Sequence, residues 1–563
     1  MKVLLYLLLI SSCSHLRSVD LAPGEKKSDH YSRGRKIMIT TQGPASTLAG
    51  KKIFELGGNI YDVAVAISFA ISVERPQSTG IGGGGFLLHH QKGKTPKALD
   101  FRERAPHRSS EKMYLDKSGQ EIKGLSRKGI KSVGVPGLVA GLIQIHESYG
   151  LLPLKTVMKP AINLARNGLE IYPELFRALK IKESVLRKFP ANLKVFFTKG
   201  KLKQKGDLLV QKDLARTLEI IARKGSSGFY KGEVSRAIIL ESKRLGGILS
   251  QKDLDGYRVK SREPIKGTYR NHSIFSMPPP SSGGVHIIQI LNILEGYDLK
   301  TLGVQNPKTI HLVSQAMQAA FYDRAMYLGD TDFEKVPVTG LISKKYASSI
   351  RKKIDQEKFL ELKGEDPNFY ESLETTHFSV MDGDGNVVVS TQTINGYFGS
   401  GVMVPGTGII LNNEMDDFAT KVGNLNLFGA VGGSKNLIRP KKTPLSSMSP
   451  TIVFKKDKPI LALGSPSGTK ILTCVMSTIL NYLEFGLSLR QSQELVRYHH
   501  QWKPNFLRIE KPGFKSSTMR KLEDMGYAIK EKSLGCKVQS IAREGDELIG
   551  VSDLRGQGMA WGI

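Results

Sequence analysis

Cysteine and tryptophan are scarce in this 563-residue chain, which has three of the first and two of the second. So few cysteines exclude a disulfide framework and a cysteine-rich metal site. Cys474, set in the apolar ILTCVMSTIL, reads as a buried thiol rather than half of a bridge. Acidic residues are also short, 52 against 82 lysines and arginines, for a formal charge of +30. That sign suits an anionic surface or a nucleic acid. The basic residues are scattered, however, apart from one cluster at Lys26, Lys27, Arg33, Arg35 and Lys36 and another from Lys180 to Lys205. No RNP stretch or zinc-finger spacing accompanies them, so the reading is a basic solvated surface and no nucleic-acid partner. No later run is long and apolar enough to be a membrane helix. G-x-S-x-G, H-E-x-x-H and clustered metal ligands are all missing, which removes a serine-hydrolase elbow and leaves no cofactor or metal to expect.

What is there begins with MKVLLYLLLISSCSHLRS: one lysine, an apolar core from Val3 to Ile10, then small residues. That is the shape of an export signal, too short to span a bilayer. Ile10-Ser11-Ser12-Cys13 resembles a bacterial lipobox, giving a signal peptide over 1–12, lipidated Cys13 as mature N-terminus and a lipid anchor to the membrane. Ordinary cleavage nearby is the alternative. Either places the protein in the periplasm or on the outer membrane, and the polar, basic residues 13–36 read as a tether.

Helical patterns dominate up to about residue 330, among them NIYDVAVAISFAISVERPQ, which should be buried on several sides and end before Pro76. Gly80, Gly82 and Gly85 satisfy G-x-G-x-x-G formally. A dinucleotide site needs a strand before such glycines and a helix after them, and here the order is reversed, so close backbone packing is the better account. Residues 355–374 resemble an exposed linker. After 375 strands take over, which makes the fold class α+β.

ESLETTHFSVMDGDGNVVVSTQTIN, residues 371–395, reads as a β-hairpin. If its polar turn sets Met381 opposite Val387, then His377 faces Thr391 and Thr375 faces Thr393. A threonine hydroxyl is a nucleophile only when a base takes its proton. With no other base in view, the amine of Thr375 itself remains, freed by cleavage before it, with a reference pKa of about 7.7–8.0.

TTHFSVMDGDGN, TQTINGYFGSG, GIILNNEMDDF, PLSSMSPTIV and GSPSGTKI, in that order, resemble the small subunit of the γ-glutamyltranspeptidase (glutathione hydrolase) family. RPQSTGIGGGGFLL, LDFRERAP, VGVPGLVAGL, MPPPSSGGVH and AMQAAFYDRAMYLGD resemble its large subunit. The resemblance runs from about residue 37 to about 555. It implies an N-terminal nucleophile hydrolase, an αββα sandwich of two stacked antiparallel sheets between helical layers. It also implies an inactive precursor that cuts itself between Glu374 and Thr375. A large subunit, 37–374, and a small subunit, 375–563, then form one catalytic domain as a heterodimer. The expected substrates are glutathione and other γ-glutamyl compounds, with water, amino acids or dipeptides as acceptors.

The same resemblance implies roles. Thr375 is the nucleophile and Thr393 orients it. Arg102, with Ser446 and Ser447, clamps the substrate α-carboxylate, while Asn395, Glu414 and Asp417 accept from its α-ammonium. Backbone N–H groups of Ser467 and Gly468 form the oxyanion hole. Ser467 replaces a usual glycine, a change that is harmless provided the backbone there does not need positive φ. Residues 419–444 correspond to a lid, with Phe428 where a tyrosine often stands. Thr376 should face away from the nucleophile, and His377 is read as structural. A cephalosporin-acylase-like amidase of the same fold and an unprocessed surface binding protein are the competing readings. Arg102 with Glu414 and Asp417 suits an amino-acid head group better than a dicarboxylate side chain.

Overall fold

The computed structural model describes residues 29–360 and 375–563. The expected signal peptide, Cys13, Glu374 and the bulk of the expected linker and tether lie outside the described residues. The end of that tether is corrected: Tyr31–Gly34 is a strand, antiparallel to Glu547–Ser552, with Tyr31 opposite Val551. Its polar residues are the solvent side of an edge strand, where Arg33 lies 3.4 Å from Glu547.

The hairpin forms in the expected register, Met381 opposite Val387 and His377 opposite Thr391. Its turn is closed by Asp382, whose Oδ1 accepts from the Asn386 N–H at 2.9 Å. The two strands, Thr376–Asp382 and Val387–Thr393, lie inside a seven-stranded antiparallel sheet. Met559–Gly562 and Ile37–Thr41 flank the hairpin on one side, and Gly84–His90, Lys97–Asp100 and Lys260–Arg262 on the other. A second seven-stranded sheet runs Tyr31–Gly34, Glu547–Ser552, Gln539–Glu544, Lys458–Gly464, Thr451–Lys455, His272–Ser276, Ile265–Tyr269. Both sheets draw strands from either side of residue 375, so the change of texture there is not a domain boundary.

Strand alternation sorts the hairpin residues between two cores. Phe378, Val380 and Val388 pack with the helices over the first sheet, chiefly Ile60–Glu74, which is buried on every side and started by an Asn59–Asp62 capping box. Met381, Val387 and Val389 pack with Ile452, Leu461 and Ile541 of the facing sheet. Helices Gly283–Leu294 and Lys470–Leu483 belong to that second core and cover the outer face, which completes the four layers. The odd-numbered positions 377, 379 and 381 therefore look between the sheets, and Thr375 continues that series.

The glycine run serves close approach, as expected: a Cβ on Gly83 would lie 2.0 Å from the Thr393 carbonyl oxygen. The reading of Cys474 is corrected. Cys474 and Cys536 are bridged, with S–S 2.06 Å and Cα atoms 6.5 Å apart. They are 62 positions apart in sequence, and only the packing of the helix Lys470–Leu483 against the stretch around residue 536 brings them together.

Candidate active site

Thr375 sits at the open end of the central hairpin, 5% exposed, and its Oγ accepts a hydrogen bond from the backbone N–H of Ser467 at 3.0 Å. Thr393 lines the same cleft, and its Oγ accepts from the Asn395 N–H at 2.8 Å. Asn395 is held at φ +71°, with Nδ2 donating to the Asn413 carbonyl at 3.0 Å, so its Oδ1 stays available as an acceptor. His377 is structural: its ring lies 2.8 Å from Thr391 Oγ and 3.2 Å from Ser379 Oγ. Burial lowers its pKa to about 3, so it is neutral, and neither ring contact is with Thr375.

Ser467 and Gly468 form the turn between strand Lys458–Gly464 and helix Lys470–Leu483. The proviso on Ser467 is not met, because its φ is +114°, beside +53° at Gly468. A non-glycine residue held there costs about 1–3 kcal/mol and persists only if its surroundings over-determine it. They do. Ser467 Oγ donates to the Leu534 carbonyl at 2.5 Å, the Lys537 N–H donates to Ser465 Oγ at 3.2 Å, and the Cys474–Cys536 bridge joins the same two segments. The Phe428 ring covers the turn so closely that a Cβ on Gly468 would lie 2.2 Å from it.

Arg102 is 1% exposed. Its Nε donates to the Pro444 carbonyl at 3.0 Å, while Nη1 meets Glu414 at 2.5 Å and Nη2 meets Asp417 at 2.6 Å. Burial alone would lower its pKa, but the two carboxylates raise it. Burial also pushes Glu414 up to about 7 and Asp417 up to about 6, with Arg102 opposing the rise in both. Behind them Glu103 is fully buried and held well above the carboxylate range by burial and by Glu414. Arg102's ion-pair partners are Glu414 and Asp417 rather than Glu103. Clamp and acceptors, expected to meet opposite ends of a substrate, are thus bonded to one another.

The segment expected to act as a lid is tied into this cluster. Asn426 Nδ2 donates to Asp417 Oδ1 at 2.9 Å, and Asn426 Oδ1 accepts from the Phe428 N–H at 2.9 Å and the Ala430 N–H at 3.1 Å. Ser446 is fixed by its N–H to the Pro280 carbonyl at 2.8 Å and by Ser282 Oγ, which donates to the Ser446 carbonyl at 2.8 Å.

One cleft therefore collects Thr375, Thr393, Arg102, Asn395, Glu414, Asp417, Ser446, Ser447, Gly468 and Phe428, and Ser467 reaches Thr375 through its backbone. Arg324 and Asn426 also line it, and neither was singled out from the sequence. Arg324 lies in AMQAAFYDRAMYLGD, where a charged residue in a helix with buried neighbours was the available signal. Asn426 sits in a segment of low sequence regularity and carried none.

The family profile described as Gamma-glutamyltranspeptidase matches residues 46–563. A glutathione hydrolase proenzyme of Escherichia coli (strain K12) is 41% identical over 564 residues, covering 98% of this chain and 97% of that protein. The crystal structure of a cephalosporin acylase from Bacillus halodurans aligns with a TM-score of 0.84 at 26% identity, over 97% of this chain and 99% of that one. A chain of Helicobacter pylori gamma-glutamyltranspeptidase aligns with a TM-score of 0.55 at 45% identity, over 55% of this chain and 90% of its own. With a profile match across nearly its whole length and the Thr375 cleft assembled from both halves of the sequence, the chain belongs to the γ-glutamyltranspeptidase family.

Proposed function

We propose that this protein is a self-processing γ-glutamyl hydrolase and transferase that cleaves the γ-glutamyl amide of glutathione and related compounds. The observation that carries the reading is Thr375 Oγ at 3.0 Å from the Ser467 N–H, facing a cleft whose far side holds Arg102, Glu414 and Asp417. In the precursor, Thr375 Oγ attacks the Glu374 carbonyl, the peptide nitrogen leaves as the Thr375 amine, and water hydrolyses the resulting ester. Well-oriented intramolecular attack of this kind reaches effective molarities of about 10⁵–10⁸ M.

In the mature enzyme the Thr375 amine takes the Oγ proton as Oγ bonds to the γ-carbonyl carbon. The oxyanion meets the N–H groups of Ser467 and Gly468, donors already fixed before the charge develops. The amine then gives its proton to the departing nitrogen, leaving a γ-glutamyl ester on Thr375. Water or an acceptor amine attacks that ester, its proton passes to the Thr375 amine, and Thr375 Oγ is restored. Glu414, Asp417 and Asn395 Oδ1 suit the α-ammonium, and the Ser446 and Ser447 hydroxyls with the guanidinium side of the cleft suit the α-carboxylate. A dicarboxylate acyl group has no ammonium for those acids. Cleavage at 374/375, export, and lipidation of Cys13 belong to the same proposal. The Cys474–Cys536 bridge supports export, because disulfides persist in oxidising compartments.

Incubation with glutathione, with and without a dipeptide acceptor, tests the reading. Glutamate alone means hydrolysis, a γ-glutamyl dipeptide means transfer, and neither product from a chain whose small fragment begins at Thr375 would overturn it.

A further inference from the structure

Between residues 180 and 205 nine lysines and arginines stand against one acid, Glu183, whereas the whole chain has 82 against 52. The fold gathers that excess onto one lobe. Helix Pro173–Leu186 buries Leu175, Leu179 and Leu186 against Phe196 and Leu202. Its outer row, Arg177, Lys180, Ile181 and Ser184, is exposed and is continued by Lys188 just past the helix end, a spacing of three and four that keeps one face. Arg187 takes up Glu183 at 2.6 Å, lies 4.5 Å from the Phe197 ring centroid and donates through Nη1 to the Gly200 carbonyl at 3.1 Å. The tip of the short hairpin of Phe197–Thr198 and Lys201–Leu202, with exposed Lys199 and Lys201, is thereby tied to the end of the helix. Lys180, Lys188, Lys199 and Lys201 have no ion pair among the described residues, so their charge faces outward uncompensated.

Apolar side chains stand among these cations. Ile181 sits within the basic row itself and is 58% exposed, and Leu193, beside exposed Lys194 on helix Pro190–Phe196, is 39% exposed. A soluble polyanion matches the charge and gains nothing from an exposed isoleucine. An anionic bilayer takes both, because its phosphates meet the lysines while its interfacial region accepts apolar side chains. We propose that this lobe is a docking surface for a bilayer of anionic phospholipid, with Lys180, Lys188, Lys199 and Lys201 on head-group phosphates and Ile181 and Leu193 entering the interface. Docking of this kind is peripheral: no helix among the described residues is long and apolar enough to cross a membrane. It requires neither the reaction at Thr375 nor an acyl chain on Cys13.

The test sediments the full chain carrying Cys13→Ser, so that no acyl chain contributes, with vesicles of phosphatidylglycerol and phosphatidylcholine in equal parts and with vesicles of phosphatidylcholine alone. Binding is expected to the first and not the second. Raising salt from about 0.1 M to about 1 M shrinks the screening length from about 10 Å to about 3 Å and should release the protein. Each cation near such a surface contributes about fivefold to binding, so Lys180→Glu, Lys188→Glu, Lys199→Glu and Lys201→Glu together should weaken it by at least about 100-fold. Reversing Lys112, Lys117, Lys345 and Lys352, exposed lysines elsewhere, changes net charge equally and should weaken it less than about threefold, because distant charges are screened. Ile181→Ser with Leu193→Ser should weaken vesicle binding about 5- to 10-fold and leave binding to heparin, a soluble polyanion, as it was. Equal losses from the two lysine sets, or binding to phosphatidylcholine alone, overturn the proposal. So does vesicle binding indifferent to Ile181 and Leu193, which would make the lobe a polyanion site instead. Melting at the wild-type temperature confirms that each variant folds, and if the glutamate set melts early, Lys→Gln at the same four positions is read in its place.

Discussion

Ser467 combines a backbone conformation suited to glycine with a hydroxyl that glycine lacks. Its two substitutions therefore separate strain from tether. Ser467→Ala keeps the positive φ and loses the bond to the Leu534 carbonyl, so it should melt lower, by the equivalent of about 1 kcal/mol. Ser467→Gly loses the same bond but relieves about 1–2 kcal/mol of backbone strain, and should melt no lower than wild type. Thermal denaturation of the two variants checks this, and equal melting of both would mean the strain is not there. The head-group acids set a pH dependence of their own. Glu414 near 7 and Asp417 near 6 lie above their ordinary values of 4.5 and 3.8, so protonation favours the folded state. Their contribution to stability is complete below the ordinary values and is lost as pH rises through about 6 and about 7. In the proposed function binding runs the other way, because an α-ammonium needs them ionised. KM for γ-glutamyl-p-nitroanilide should rise as pH falls through that window, while kcat at saturation follows the Thr375 amine.

The turn proposed to supply the oxyanion donors is held between two elements. Helix Lys470–Leu483 grows from it, and the segment around Leu534 to Lys537 straps it, with the Cys474–Cys536 bridge joining helix to strap. Closing so long a loop is worth about 2–4 kcal/mol in the entropic account. Cys474→Ser, or reduction of the wild type, should therefore lower the melting temperature. It should also lower kcat more than it raises KM, since the loosened part touches the reacting atoms and not the head-group site. An unchanged kcat with a lowered melting temperature would confine the bridge to stability.

For the whole molecule, the decisive feature is that neither seven-stranded sheet is made by one segment. The hairpin 376–393 is flanked by Ile37–Thr41 and Gly84–His90, and Tyr31–Gly34 pairs with Glu547–Ser552. Cutting before Thr375 removes one peptide bond and none of those ladders. The processed protein should elute from gel filtration at the mass of the uncut Thr375→Ala variant, and split into two bands only under denaturing conditions. Separation of the fragments in native buffer would contradict this architecture.

Local pattern carried a good deal of this. Period-2 alternation and a polar turn determined the hairpin and its register, and with it the placing of Thr375 on the inter-sheet face and Thr376 on the other, because those depend on neighbours in sequence. Ordered motifs determined the family and most of the cleft. Three features were decided only by tertiary packing: the disulfide across 62 positions, the positive φ at Ser467, and the contrast between a fully paired Arg102 and an Arg324 that meets no counter-ion among the described residues. Each depends on which distant segments meet and on the counter-charges they bring, and that is information no local spacing contains.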